Sequence, residues 1–387
     1  MRRRAFLGVA AGASLGLWAQ GALGATFAGS EEGSPASLGM TAGVTAAPAD
    51  LKIGHYKDGP PRKAAATPVG TLRDAGAGRG MLVGSCVSAA QLAEADFAEL
   101  AARQCSIVVA ENDMKWRFTQ PEENRYDFTR ADVVAGFAEK NGLKLRGHNL
   151  CWHQSLPEWV EKTATKENAA RLLRQHILVV AGRYAGKMHS WDVVNEAIEI
   201  KDGRRDGLRE SMWMKLLGPE YLAIAFRAAA ETDPAAKLTY NDYGLEGNGK
   251  YHEERRAAAL MLLRWMRENK VPVHALGLQS HLHEDSSGDF RALNRFLDEV
   301  SAMGLEVYVT ELDVKQEGSG ESAEKRAAKV YREYLENVVR HPAVKAVLTW
   351  GLTRRGRNHE ERLLPFGDGL QPTAAFYAMR DALAKNL

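Results

Sequence analysis

Eight short apolar runs recur along the chain after Thr71: "MLVGSCVS", "SIVVAEN", "KLRGHNLCW", "SWDVVNEA", "AKLTYNDY", "ALGLQSHL", "LEVYVTELDV" and "AVLTWGL". Their β-branched and aromatic content predicts strands. Between them lie segments such as "EYLAIAFRAAAET" and "YHEERRAAALMLLRWMREN", whose apolar residues return every three or four positions, the period of a helix. Strand alternating with helix signals parallel α/β construction, and eight repeats predict a single closed (β/α)8 TIM barrel. An open doubly wound sheet would need a phosphate-binding glycine turn after its first strand, and "VGSCVSAAQ" does not supply one.

The runs share a second pattern: nearly all start apolar and end polar. The polar ends are Glu111-Asn112, His148-Asn149, Asn195-Glu196, Asn241-Asp242, Gln279 with His281, and Glu311 with Asp313. In a barrel, the C-terminal ends of all strands open onto one face, which carries the active site in essentially every characterised example. Residues scattered through the sequence are therefore expected to converge on one mouth. Among them, Glu196 in the fourth strand and Glu311 in the seventh each close an apolar run and are placed to face each other across the ring. An unpartnered buried carboxylate costs several kcal/mol. A facing pair has a use that offsets this, because glycosidic cleavage needs one proton donor and one ionised group that attacks or activates water.

Composition narrows the reading. The 387 residues are 45% hydrophobic and 26% charged, those of a globular protein, and a net charge of +2 gives no basic stripe for nucleic acid. Cys86, Cys105 and Cys151 contain no CxxC pair, so neither a disulfide framework nor a zinc site is indicated, and they are expected as free thiols near the core. Residues 1–25 have a basic start, a Gly/Ala-rich apolar stretch and small residues around Ala22 and Gly24, as an export signal does. The stretch is too short and glycine-rich for a membrane span. Its Arg3-Arg4-Ala5-Phe6-Leu7 resembles a twin-arginine signal, so the protein is expected to be exported to the periplasm or beyond. Residues 26–68 are Gly, Ser, Ala, Thr and Pro with scattered charges and no apolar period, and read as a linker or poorly ordered leader. Residues 69–387 then form the catalytic barrel, expected as a monomer.

"ENDMKW", "GHNLCWHQSLPEWV", "WDVVNEA", "LTYNDY", "LGLQSHL" and "VTELDV", in this order, resemble the family 10 glycoside hydrolases. These are retaining endo-β-1,4-xylanases on a (β/α)8 barrel. The resemblance implies xylan or xylo-oligosaccharide as substrate, with Glu196 as acid/base and Glu311 as nucleophile. Asn195 would bond the 2-hydroxyl of the sugar at the cleavage point, and Lys115 and His148 its 3-hydroxyl. Glu111 and Asn112 would serve the next sugar outward. His281 would bond the nucleophile with Asp313 behind it, and Gln279 would lie toward the acid/base. Trp152 and Trp350 would offer apolar faces to the sugar, and Tyr240 would support from within the strand. The same resemblance uses the histidines without metal or cofactor.

The chain departs from the family in its last barrel loop. Where the family usually has Trp-Gly-x-x-Asp and then a Ser-Trp pair whose tryptophan roofs the site, this chain reads "WGLTRRGRNHEERLLPFGDGLQP". Arg354 takes the place of the aspartate, and Arg357-Asn358 that of Ser-Trp. The three arginines Arg354, Arg355 and Arg357 suggest an opened roof that could receive acidic decorations on the substrate. Two rival readings stay open: a retaining glycosidase of the same layout acting on β-glucans or aryl glycosides, and a non-catalytic sugar-binding protein on a decayed barrel.

Overall fold

The computed structural model describes residues 70–286, 288–356 and 361–384. The export signal and leader expected over 1–68, and the Arg357-Asn358 pair, lie outside the described residues. The first element is a helix, Leu72–Ala77, capped by the Thr71 side chain, which accepts from the Asp74 amide.

The barrel strands are β1 (Leu82–Val87), β2 (Ile107–Ala110), β3 (Lys144–Cys151), β4 (Met188–Asn195), β5 (Lys237–Asp242), β6 (Ala275–Leu278), β8 (Glu306–Lys315) and β9 (Val344–Thr349). Each pairs in parallel with the next, and β9 pairs with β1, so the ring closes without a free edge. This is the eightfold barrel that the apolar runs predict. One run differs from its expected form. "ALGLQSHL" is not one strand: after β6 the chain turns at Ser280, whose φ of 63° lies in the left-handed region, and resumes as β7 (His281–His283). β7 runs parallel to the end of β8, with His281 opposite Asp313. A two-residue strand, β10 (Arg362–Leu363), pairs antiparallel to the same part of β8. The seventh barrel strand is therefore extended beyond the ring on both sides, where the predicted site residues cluster.

Side-chain alternation divides the core in two. Cys86, Ile107, Val109, Ala275, Tyr308, Ala346 and Leu348 pack together, with Trp350 against them. Their strand neighbours Val87, Val108, Ala110, Val307 and Val309 belong to the larger cluster shared with the helices. That is the period-two pattern of strands buried on both faces. Close approach requires glycine at Gly84, where an added Cβ would lie 1.7 Å from the Ile107 carbonyl oxygen. All three cysteines are buried as free thiols. No helix among the described residues is long and apolar enough to cross a membrane.

Candidate active site

At the C-terminal ends of the strands lies a cavity of about 490 Å³. Of the residues expected at the mouth, Lys115, His148, Trp152, Asn195, Glu196, Gln279, His281, Glu311 and Trp350 line it. They arrive from six different barrel strands or the turns that follow them. Glu111 and Asn112 do not line it; they lie just past β2, and Asn112 reaches it only by accepting from the Lys115 ammonium at 2.9 Å. Tyr240 is buried and donates to Asp242, because strand alternation turns it outward while Asn241 faces inward. Asp313 is also set behind the wall.

Glu311 is 5% exposed and receives donors on both oxygens. Asn241 Nδ2 donates to Oε1 at 2.7 Å, and His281 Nε2 lies 3.3 Å from Oε2. Burial pushes the carboxyl up. The bond from His281, the charges of His148 and His281 and the bond from Asn241 outweigh it, leaving the pKa at about 2. His281 is itself held by Asp313, with Nδ1 3.0 Å from Oδ1. Burial would lower its pKa, but the Asp313 charge and the bonds to both carboxylates lift it to about 10. The imidazole is thus a cation between two anions, and Glu311 is kept ionised.

Glu196 has different neighbours. Trp152 Nε1 donates to its Oε2 at 2.9 Å, and Gln279 Nε2 and Asn195 Nδ2 donate to its Oε1 at 3.1 and 3.2 Å. All three are neutral donors. Trp152 therefore offers a polar handle as well as the apolar face expected of it. The two glutamates are tied into one network: Gln279 and Asn241 both donate to Asn195 Oδ1, at 3.3 and 2.9 Å. Lys115 sits in the same wall, with its ammonium 4.9 Å from the Trp152 ring centre and 5.9 Å from that of Trp350.

Several supporting residues lie beyond the predicted set. Asn241 joins Glu311 to Asn195 and accepts from Thr310 Oγ1 at 2.7 Å, so its amide orientation is fixed on both sides. Arg146 and Asp192 are both 1% exposed and form an ion pair inside the barrel. The other Asp192 oxygen is 3.0 Å from His148 Nδ1 and orients that ring. The signal for Arg146 was present, since a charged residue two positions before the strand-end His148 must share its face. Arg362 of β10 pairs with Asp313. Tyr243, Gly244, Glu246, Tyr251 and His252 complete the cavity from the segment after β5, where no strand pattern marked them. Among the described residues no group of three or more His, Cys, Asp or Glu is arranged to hold a metal.

Comparison with known proteins agrees with this layout. Relatives include an endo-1,4-beta-xylanase B of Thermotoga neapolitana, 33% identical over 307 residues, which cover 75% of this chain and 84% of that protein. Another is the exoglucanase XynX of Acetivibrio thermocellus, 30% identical over 317 residues, covering 77% of this chain but 28% of that longer protein. Among solved structures, xylanase 10B from Thermotoga petrophila in complex with xylobiose superposes with a TM-score of 0.75 at 31% identity, covering 83% of this chain and 98% of that one. The model of Glycosyl hydrolase family 10 matches residues 71–382, the whole described barrel almost end to end, and the chain belongs to that family.

Proposed function

We propose that this glycoside hydrolase is a retaining endo-1,4-β-xylanase in which Glu311 is the nucleophile and Glu196 the acid/base. The observation that carries the assignment is the asymmetry between the two carboxyls. Glu311 is bonded to a cationic histidine and held ionised, as a nucleophile must be. Glu196 meets only neutral donors, so it can carry a proton to the leaving oxygen without expelling a cation from its side. In the first step Glu311 attacks the anomeric carbon while Glu196 protonates the departing glycosidic oxygen. In the second, Glu196 takes a proton from water, which displaces the Glu311 ester. Asn195, fixed by Asn241 and Gln279, is placed to bond the sugar's 2-hydroxyl, and Lys115 and His148 its 3-hydroxyl. Xylan as substrate rests on the xylanase relatives, and export on the leader's arginine pair.

The test separates the two roles by leaving group. Glu311→Ala should abolish turnover of every substrate. Glu196→Ala should keep the first step on aryl xylobiosides with good leaving groups, which need little protonation, and lose it on xylan. Near-normal activity of Glu311→Ala on an activated substrate would end the assignment. The exoglucanase relative favours a second reading, a β-1,4-glucanase with the same chemistry. Rates on xylan against soluble cellulose decide between them.

A further inference from the structure

Glu196 has a backbone φ of 57°, in the left-handed region that a residue with a Cβ rarely adopts. Such a conformation is strained and persists only where surrounding contacts enforce it. Both Glu196 backbone groups are tied. Its amide donates to the Asn241 carbonyl at 2.9 Å, and its carbonyl accepts from Arg209 Nε at 2.9 Å. Arg209 holds the same turn at further points. Its own amide donates to the Ala197 carbonyl at 2.7 Å, and its Nη2 donates to the Ile198 carbonyl at 3.3 Å. The guanidinium is anchored in turn: Nη2 donates to Tyr243 Oη at 3.0 Å, that hydroxyl donates to Glu199 at 3.1 Å, and Nη1 lies 3.7 Å from the Glu199 carboxylate. Arg209 is 15% exposed at its side chain and does not line the cavity.

We propose that Arg209 is a positioning residue for proton donation: it fixes the turn that aims the Glu196 carboxyl, and it serves that step rather than the nucleophilic one. The inference rests on the assignment of Glu196 as acid/base. Nothing in the Arg209 contacts touches Glu311, whose donors come from β5 and β7. A planar guanidinium meets two carbonyls and a hydroxyl at once, which neither lysine nor an apolar chain of similar length reproduces.

The experiment compares Arg209→Met, Arg209→Lys, Glu196→Ala and the parent on dinitrophenyl β-xylobioside, which leaves without protonation, and on xylotetraose, which does not. Arg209→Met should lose kcat/KM on xylotetraose by roughly 10²-fold, the lower end of what a positioned general acid supplies, and by less than about fivefold on the activated substrate. On that substrate its kcat and KM should fall together, since water attack on the ester still needs Glu196 as base. Arg209→Lys should lie between Arg209→Met and the parent. Equal losses on both substrates, or no loss on either, with Glu196→Ala still showing the leaving-group contrast, overturn the role of Arg209 alone. Absence of that contrast in Glu196→Ala overturns the acid/base assignment and this inference with it. Should Arg209→Met not fold, Arg209→Lys carries the same test: selective loss on xylotetraose supports the proposal, and any other pattern overturns it.

Discussion

Replacing His281 with Gln removes a cation from beside the proposed nucleophile while leaving a side chain able to donate one hydrogen bond. The Glu311 pKa of about 2 lies about 2.5 units under the ordinary glutamate value of 4.5, a net stabilisation of the ionised form of about 3 kcal/mol at ~1.4 kcal/mol per unit. Burial opposes that shift, so it reflects what the His281 bond and charge, His148 and Asn241 supply in excess. Without the His281 charge, less opposes burial, and the carboxyl should rise toward its ordinary value or above. The sign follows directly: the group must be ionised to attack, so the variant loses activity as pH falls. The assay is kcat/KM from pH 4 to 7 on dinitrophenyl β-xylobioside, whose first step does not need the Glu196 proton. In the parent, Glu311 stays ionised through this range. In His281→Gln, the ratio to the parent should drop by roughly fourfold or more between pH 7 and pH 4, as a carboxyl with a pKa near or above 4.5 becomes protonated. A ratio flat across that range, however low, would show that His281 does not tune Glu311, and circular dichroism at pH 4 guards against simple unfolding.

Retention of anomeric configuration follows from double displacement, and NMR of the first-formed product reports it; an inverted product would refute Glu311 as nucleophile. Exhaustive chelation should leave the rate unchanged, because the proposed chemistry needs no Lewis acid, and a loss restored by zinc would contradict it. Gly84→Ala should cost on the order of 3 kcal/mol or more, because its Cβ would meet the Ile107 carbonyl at 1.7 Å and force β1 from β2. A thermal melt within a degree of the parent would mean that the strands yield more easily than their contact distance indicates.

The barrel was legible because its signal is redundant. Eight apolar runs separated by helical periods admit few other topologies, and an error at one strand, such as the break at Ser280, leaves the count intact. The site was legible where side-chain parity carries information: His148, Asn195 and Glu311 stand at the polar ends of apolar strands, and the fold brings them together. Parity also explains Tyr240, one residue from Asn241 and facing the other way. What could not be read came from contacts distant in sequence with no periodic trace. Arg209 reaches Glu196 from a bridge between Ile198 and Leu208, and Tyr243, Gly244 and Glu246 lie in irregular backbone after β5.

The last barrel loop shows how a departure from the family pattern can be absorbed by structure rather than by substrate. Read as sequence, Arg354, Arg355 and Arg357 suggest a positive mouth for acidic decorations. Arg355 is already occupied: it makes paired bonds to Asp96 at 2.9 Å and lies 3.0 Å from Glu94, holding that carboxyl of Asp96 below the usual carboxylate range. Its amide donates to Thr353 Oγ1, and Thr353 Oγ1 donates to the Gly367 carbonyl at 2.8 Å. The loop is thereby fastened to the segment after β1, its neighbour around the ring, and to the chain's return. Further along, the Gln316 amide donates to the Glu361 carbonyl at 2.8 Å, and Arg362 is delivered to Asp313, the aspartate behind His281. A guanidinium there balances the second carboxylate of the His281 pair, so the cation on His281 is shared between two anions that are themselves matched by two cations. The basic residues of this loop that the structure describes with partners thus face inward to the framework of the nucleophile or sideways to the next loop. For those residues, charge in the sequence marks a fastening rather than a docking site, and an acidic substrate would have to compete with bonds already made.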